Sequence, residues 1–392
     1  LRKSRNPVVA GSALVVLLCA AIAVVGLAFV YVALSPPRVE VETSPHGAQL
    51  FAGEAAALPT VIRPRGRRSP SMRLEQALPV GLGGRPARMG IPPLPRGRKF
   101  TLDLMLTFMV RGRHDVPAVT LERDDPFGFV SRTEVAGSRR QVTVLPRVHD
   151  LDPAAAAGAS LRGDGPARTL SVLPGDEWGS IRAYRAGDDL RRIHWPVTAH
   201  RGELMMRHDE RSSTRHGLLL LDPRLPDRHH PEVLEWGIEM IASAAVALDR
   251  ADMTFDLLTG DATVVGDRGE IDDRRDAALL ALARTPVHTR PPRLGLTVQD
   301  PYVEAVRDQA ARAGLVVLAA GVTDPDATRD LLSSLPPGTT GFAFLVAAEE
   351  ESPAGLDLAA VAAEAGWSPA LCTPATSHAQ VWQDCLSARD AR

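Results

Sequence analysis

The stretch GLLLLDPRLP, from Gly217 to Pro226, decides the fold. Four successive leucines cannot alternate between core and water, so a strand built from them is buried on both faces. The run ends at Asp222, and prolines at 223 and 226 prevent either a helix or a central strand from continuing.

A strand covered on both faces needs helices above and below it, and the residues that follow supply them. Pro231 suits the first turn of a helix whose apolar stripe is Leu234, Ile238, Ile241, Ala245 and Leu248. MTFDLL (253–258) returns to strand, and Ile271 to Arg284 to helix. In DPYVEAVRDQAARAG, Asp300 is the N-cap, Pro301 opens the first turn and Gly314 is the stop. Then come the strand LVVLAA (315–320), a helix from about Asp326, the strand GFAFLVA (341–347) and a last pair near Leu358 to Leu386. Such alternation predicts an α/β fold with a doubly wound, mostly parallel sheet.

Upstream the pattern is all-β. RVEVET (38–43), FTLDLMLTFMV (100–110), AVTLER (118–123) and RQVTVLP (140–146) carry alternating or β-branched residues between Gly and Pro punctuation. They predict a small antiparallel β-sandwich of immunoglobulin-like size over 38–150, with a role in binding or spacing. VGLGGRPARMGIPPLPRGR (80–98) reads as a long loop, since its GLGG does not enter a helix as a dinucleotide-binding turn must. DPAAAAGASLRGDGPAR (152–168) is small and polar without a hydrophobic period, which marks 151–183 as a linker and 184–392 as the second globular part.

Pro7 to Leu34 contains no charged residue and as a helix would be roughly 40 Å long. That length fits one membrane span better than two, and it exceeds the apolar region of a cleaved signal peptide. Arg2, Lys3 and Arg5 precede the span, while Arg38 is followed closely by Glu40 and Glu42, so the charge bias keeps the N-terminus cytoplasmic and sends the rest outward. The chain begins with Leu1, not Met, and a further span upstream would reverse that topology.

The 392 residues suggest two or three domains, and a net charge of -2 argues against a uniformly basic nucleic-acid face. Three cysteines in no metal or redox spacing suggest no disulfide framework.

The densest charge lies in YRAGDDLRRIHWPVTAHRGELMMRHDE (184–210). Asp188 or Asp189 can cap a short helix, and their spacing to Arg191 and Arg192 suits helical ion pairs, each contributing under about 1 kcal/mol at a surface. One reading is a structural strap with Tyr184 and Trp195 plugged into the core. The other is a docking surface formed by Arg185, Asp188, Asp189, Arg191, Arg192, Trp195, Arg201 and Glu203, because Arg and Trp are the side chains that best anchor protein partners.

YRAGDDLRRIHW and TAHRGELMMRHDE, together with DDPFGFVSR and VTVLPRVHDL upstream, resemble signature blocks of the domain-of-unknown-function 58 family of bacterial membrane proteins over about residues 100–260. The resemblance implies N-terminal membrane helices, a β-rich domain and a C-terminal domain similar to von Willebrand factor A. It also implies partnership with a MoxR-type AAA+ ATPase and a cytoplasmic globular part, opposite to the side that the charge bias favours. Family members commonly carry two membrane helices, whereas one is visible here. Where a von Willebrand A domain has Asp-x-Ser-x-Ser, this chain has Asp222, Arg224 and Pro226. A Mg²⁺ site needs oxygen ligands and Arg224 offers none, so no metal and no cofactor are expected; Arg224 is positioned to pair with Asp222 in place of an ion.

His194, His200, His208 and His216 are too widely spaced for the paired helical ligands of a zinc hydrolase, and His229 and His230 fall in a loop. No phosphate loop, nucleophile elbow or cysteine with an evident base occurs. The expectation is a membrane-anchored, non-enzymatic protein-interaction module, with no nucleic acid and no small-molecule substrate. Two rivals are a metal-dependent enzyme or adhesion module using Asp222, and a structural envelope component.

Overall fold

The computed structural model describes residues 7–34, 39–43, 49–65, 68–78, 86–153, 181–183, 198, 205–207, 216–222, 225, 230–260, 264–265, 274–286, 301–335 and 341–390. The chain divides into two compact units, Leu1–Arg147 and Val148–Arg392.

The first unit opens with helix α1 (Pro7–Leu34), of which Leu14–Leu34 is apolar and long enough to cross a membrane. Its strands are β1 (Val39–Thr43), β2 (Leu50–Phe51), β3 (Ala55–Pro64), β4 (Arg68–Ser69), β5 (Met72–Gln76), β6 (Ala87–Ile91), β7 (Leu94–Pro95), β8 (Phe100–Thr107), β9 (Gly112–Val116), β10 (Val119–Asp124), β11 (Ser131–Ala136) and β12 (Arg140–Leu145). They form sheets ordered β1-β3-β8, β11-β10-β5-β6 and β2-β12-β9, with β4 paired to β7. All pairings are antiparallel except the short β2–β12 contact.

Alternation explains the core. In β8, Leu102, Leu104 and Leu106 point inward while Thr101, Asp103 and Met105 are exposed, and the inward set shares one core with Ile62 of the same sheet and with Leu74, Leu121 and Val144 of the other two. The segment 80–98 is not all loop, because β6 and β7 lie inside it and β6 pairs along β5 from Met72–Ile91 to Gln76–Ala87. β6 is the outermost strand of its sheet, where Pro and Gly neighbours are tolerated.

The turn from β10 to β11 is held by one side chain. The Asp125 carboxylate accepts from the Phe127 amide at 2.8 Å and the Val130 amide at 2.7 Å, and Gly128 takes φ +75°. Burial pushes the Asp125 carboxyl upward, but donation from the Val130, Phe127 and Phe129 amides outweighs it and holds the group below the ordinary carboxylate value.

In the second unit β13 (Ile181–Ala183) and β14 (Met205–Arg207) form an antiparallel ribbon. The main sheet contains β15 (His216–Leu221), β16 (Thr254–Leu258), β17 (Val264–Val265), β18 (Leu315–Gly321), β19 (Gly341–Val346) and β20 (Ser368–Cys372). Its order is β17-β16-β15-β18-β19-β20, with five parallel strands and an antiparallel edge at β17. The direction of winding reverses between β15 and β18, as in doubly wound sheets.

The helices are α2 (Pro231–Arg250), α3 (Arg274–Arg284), α4 (Pro301–Ala310), α5 (Pro325–Ser334), α6 (Pro353–Glu364) and α7 (His378–Asp390). On one face Val306, Leu331 and Leu358 of α4, α5 and α6 pack with Leu218, Leu220, Leu318 and Leu345. On the other, Trp236 of α2 and Trp382 of α7 meet the rings of Phe344 and Phe342. All five stripe residues of α2 are buried, each contributing about 1.5–3 kcal/mol where the side chain is a large aliphatic. Between Leu358 and Leu386 there are two helices and, between them, β20, whose Pro369 sits on an edge strand.

Candidate functional site

The carboxyl ends of β15 and β18 flank the point where the sheet changes winding direction, the usual place for a binding crevice in such sheets. Asp222 stands there and is fully buried. Its amide donates to the Ala319 carbonyl at 3.0 Å, which extends the β15–β18 ladder by one bond, and its own carbonyl accepts from the Leu225 amide at 3.1 Å. The Tyr302 hydroxyl donates to the Leu221 carbonyl at 3.3 Å, and the Thr328 hydroxyl donates to the Gly321 carbonyl at 3.0 Å.

Leu225 explains how the turn is seated. It is buried, and a Cβ placed on Gly237 of α2 would lie 2.2 Å from its Cδ2 atom. Residue 237 can only be glycine if leucine fills that space. The turn after β15 thus anchors an apolar side chain in the core beside Asp222. Among the described residues, Asp222 belongs to no cluster of three His, Cys, Asp or Glu ligands. Arg224 and Pro226, and the docking residues Arg185, Asp188, Asp189, Arg191, Arg192, Trp195, Arg201 and Glu203, lie outside the described residues.

The boundary of the charged segment is described. Ala183 pairs with Met205 and Ile181 with Arg207, so the residues that flank 184–204 on either side lie next to each other. Ile181–Ala183, at the end of the stretch read as a linker, is thereby part of the ordered ribbon.

A second cluster joins His149, Glu239 and His378, whose possible ligand atoms lie within 4.8 Å of one another. Two histidines and a glutamate are a donor set that zinc enzymes use. The geometry here serves a different purpose. His149 Nε2 is 2.8 Å from a Glu239 oxygen, and His378 Nε2 is 3.2 Å from the Trp236 carbonyl. A carboxylate and a carbonyl accept, so in this arrangement both Nε2 atoms are engaged as hydrogen-bond donors. The imidazoles are also stacked, with centroids 4.0 Å apart and planes 9° from parallel, so no ion can lie in both ring planes. Trp236 continues the stack at 4.5 Å from His378, and its indole N–H donates to the Thr376 carbonyl at 2.8 Å.

This stack fastens α7 and the segment at His149 onto α2. Sequence reading passed over it because its members are 90 and 139 positions apart. The available signal was polar: Trp236, Glu239 and Ser243 recur at i, i+3 and i+7 along one side of an otherwise apolar helix. We expect His378→Ala to lower unfolding free energy by about 1–3 kcal/mol through loss of a buried hydrogen bond and two ring contacts, measured by urea denaturation. Glu239→Gln, which still accepts from His149, should have the smaller effect.

His216 is likewise structural. Its ring nitrogens meet Thr254 and Asp256 on β16, each at 3.1 Å, at the amino end of the sheet, away from Asp222. Cys372 and Cys385 are free and buried. Burial, reinforced by Asp384, pushes the Cys385 thiol up to about 12, and burial raises Cys372 as well, so neither is poised as a nucleophile.

Among curated proteins no match to the chain is found. The upstream blocks DDPFGFVSR and VTVLPRVHDL fall outside the segment that a family match covers, whereas that match runs on past residue 260 to the end of α5. Residues 180–336 match the family described as Protein of unknown function DUF58.

Proposed function

We propose that this protein is a membrane-anchored, non-enzymatic interaction module in which the charged segment 184–204 docks a protein partner, a MoxR-type AAA+ ATPase. The observation that carries the reading is the β13–β14 ribbon, which closes the base of that segment at Ala183 and Met205. A segment pinned at both ends loses less conformational freedom on binding than a free tail, which favours affinity. Arg185, Arg191, Arg192, Arg201 and Trp195 are the anchors in this reading, with Asp188, Asp189 and Glu203 setting register through charge.

The strand order and the position of Asp222 at the end of the sheet's first strand support a von Willebrand A-like second domain. Antiparallel sheets around one core support the immunoglobulin-like size of the first. Asp222 in this reading helps to shape the edge without an ion, since the buried Leu225 follows it in the turn and Arg224 offers no oxygen ligand.

An ATP-hydrolysing partner places the globular part in the cytoplasm. A fluorescent or enzymatic topology reporter fused after Arg392 in the membrane-bound protein should therefore report the cytoplasmic side. An exterior signal would rule out this partner.

A further inference from the structure

Two aromatic side chains of the first unit have no place in its core. Phe127 and Phe129, in the β10–β11 turn, are 68% and 60% exposed, and their rings stack at 6.1 Å. Asp125 and Gly128 fix the turn that displays them. A pair of exposed phenylalanines on a rigid tip marks a surface that contacts something apolar.

Continuity along β11 shows where the tip points. At the far end of the strand, Gly137 lies against the start of the β domain: a Cβ on it would sit 3.1 Å from the Val41 carbonyl oxygen. Nearer the tip, an Arg132 guanidinium nitrogen reaches the Ala33 carbonyl at 3.4 Å, and Arg123, opposite it on β10, lies 4.8 Å over the Tyr31 ring. Moving from Gly137 to Arg132 therefore moves the neighbour from residue 41 back to residue 33, down into α1. Phe127 and Phe129 lie three to five residues further in the same direction, at the tip of the turn that the Asp125 amide closes on the Val130 carbonyl at 3.0 Å.

The helix at that depth is apolar on its open side. Phe29 and Leu34 are 63% and 79% exposed, while Ala28 and Val32 are buried. Those exposed side chains belong to the segment Leu14–Leu34 that is fit to cross a membrane. Whatever stands beside them stands at lipid level.

We propose that the β10–β11 tip inserts Phe127 and Phe129 into the bilayer next to α1, as a second point of membrane contact. Arg132, which pairs with Glu134 at 2.7 Å, then lies near headgroup level, Arg123 is buried against the Tyr31 ring, and the two phenylalanine rings lie beneath them, where aromatic residues act as interfacial anchors. The contact would fix the first unit's tilt at the membrane, which a single helix cannot do. It stands independently of the partner reading.

The test uses the full chain with Cys19→Ser, so that the remaining cysteines are the buried Cys372 and Cys385. Phe129→Cys and, at the other end of β11, Ser138→Cys are each labelled with an environment-sensitive fluorophore and reconstituted into phosphatidylcholine–phosphatidylglycerol vesicles carrying doxyl-labelled acyl chains. Position 129 should be quenched several-fold more than position 138, and Phe127→Cys, labelled in the same way, should repeat the result. Equal quenching at 127, 129 and 138 would overturn the proposal. So would shielding that persists in detergent and grows with protein concentration, because it would mark a contact between copies and not with lipid.

Discussion

Protein in which Arg191 and Arg192 are both changed to Glu is expected to lose at least about a hundredfold in affinity for the AAA+ ATPase proposed as its partner, because anchor arginines at hot spots are worth about 2 kcal/mol or more each and reversal adds repulsion. The change leaves the fold in place. Both positions fall between Ala183 and Met205, outside the paired residues of the ribbon, and the parallel sheet begins at His216. Thermal unfolding of the variant should therefore match wild type while capture of the partner, measured by co-purification or biolayer interferometry with the purified ATPase, collapses. Raising salt should mimic the variant in part, since rim charges act through a screened field. Equal capture by both proteins would remove the segment from the interface and leave the structural strap as its role.

The second large effect concerns stability. Gly237→Val sets its Cβ 2.2 Å from the Leu225 Cδ2 atom, an overlap that must be relieved, and 3.6 Å from the Ala319 Cβ, so the added methyls enter space already bounded by both. Overpacking of this kind costs about 1–3 kcal/mol or more, and here it also displaces the turn that carries Asp222. Shrinking the neighbour should restore part of the loss. In a double-mutant cycle with Leu225→Ala, the pair should be less destabilised than the sum of the single changes, the signature of direct contact. Additive effects would mean that Leu225 does not fill the space beside Gly237.

Much of the second unit was legible because its pattern is redundant. In β15 and β18 every residue from Leu218 to Leu221 and from Leu315 to Ala320 is buried, and such runs have no reading except a strand covered on both faces. The stripe on α2 was visible for the same reason. β20 was missed because Pro369 argues against a central strand, and the strand turns out to be an edge. β3 shows the same physics: Pro59 pairs with Asp103 on β8 and lies one residue beyond the last β1 pair, Thr43–Thr60.

The His149–Glu239–His378 stack was illegible for another reason. Its parts come from the segment after β12, the middle of α2 and the first residue of α7, and only tertiary folding brings them together. Likewise, the exposure of Phe127 and Phe129 follows from the β10–β11 turn, and β11 alternates intermediate and exposed residues and offers little apolar signal of its own.

The claim on which the rest depends is that Asp222 serves this fold without a cation. Titration of the full-length protein in detergent with Mg²⁺ or Mn²⁺, followed by calorimetry, addresses it directly. The account predicts no heat that disappears in Asp222→Asn, even at millimolar ion. One equivalent of ion bound per chain, abolished by Asp222→Asn, would contradict it and favour a metal-dependent module at the same edge.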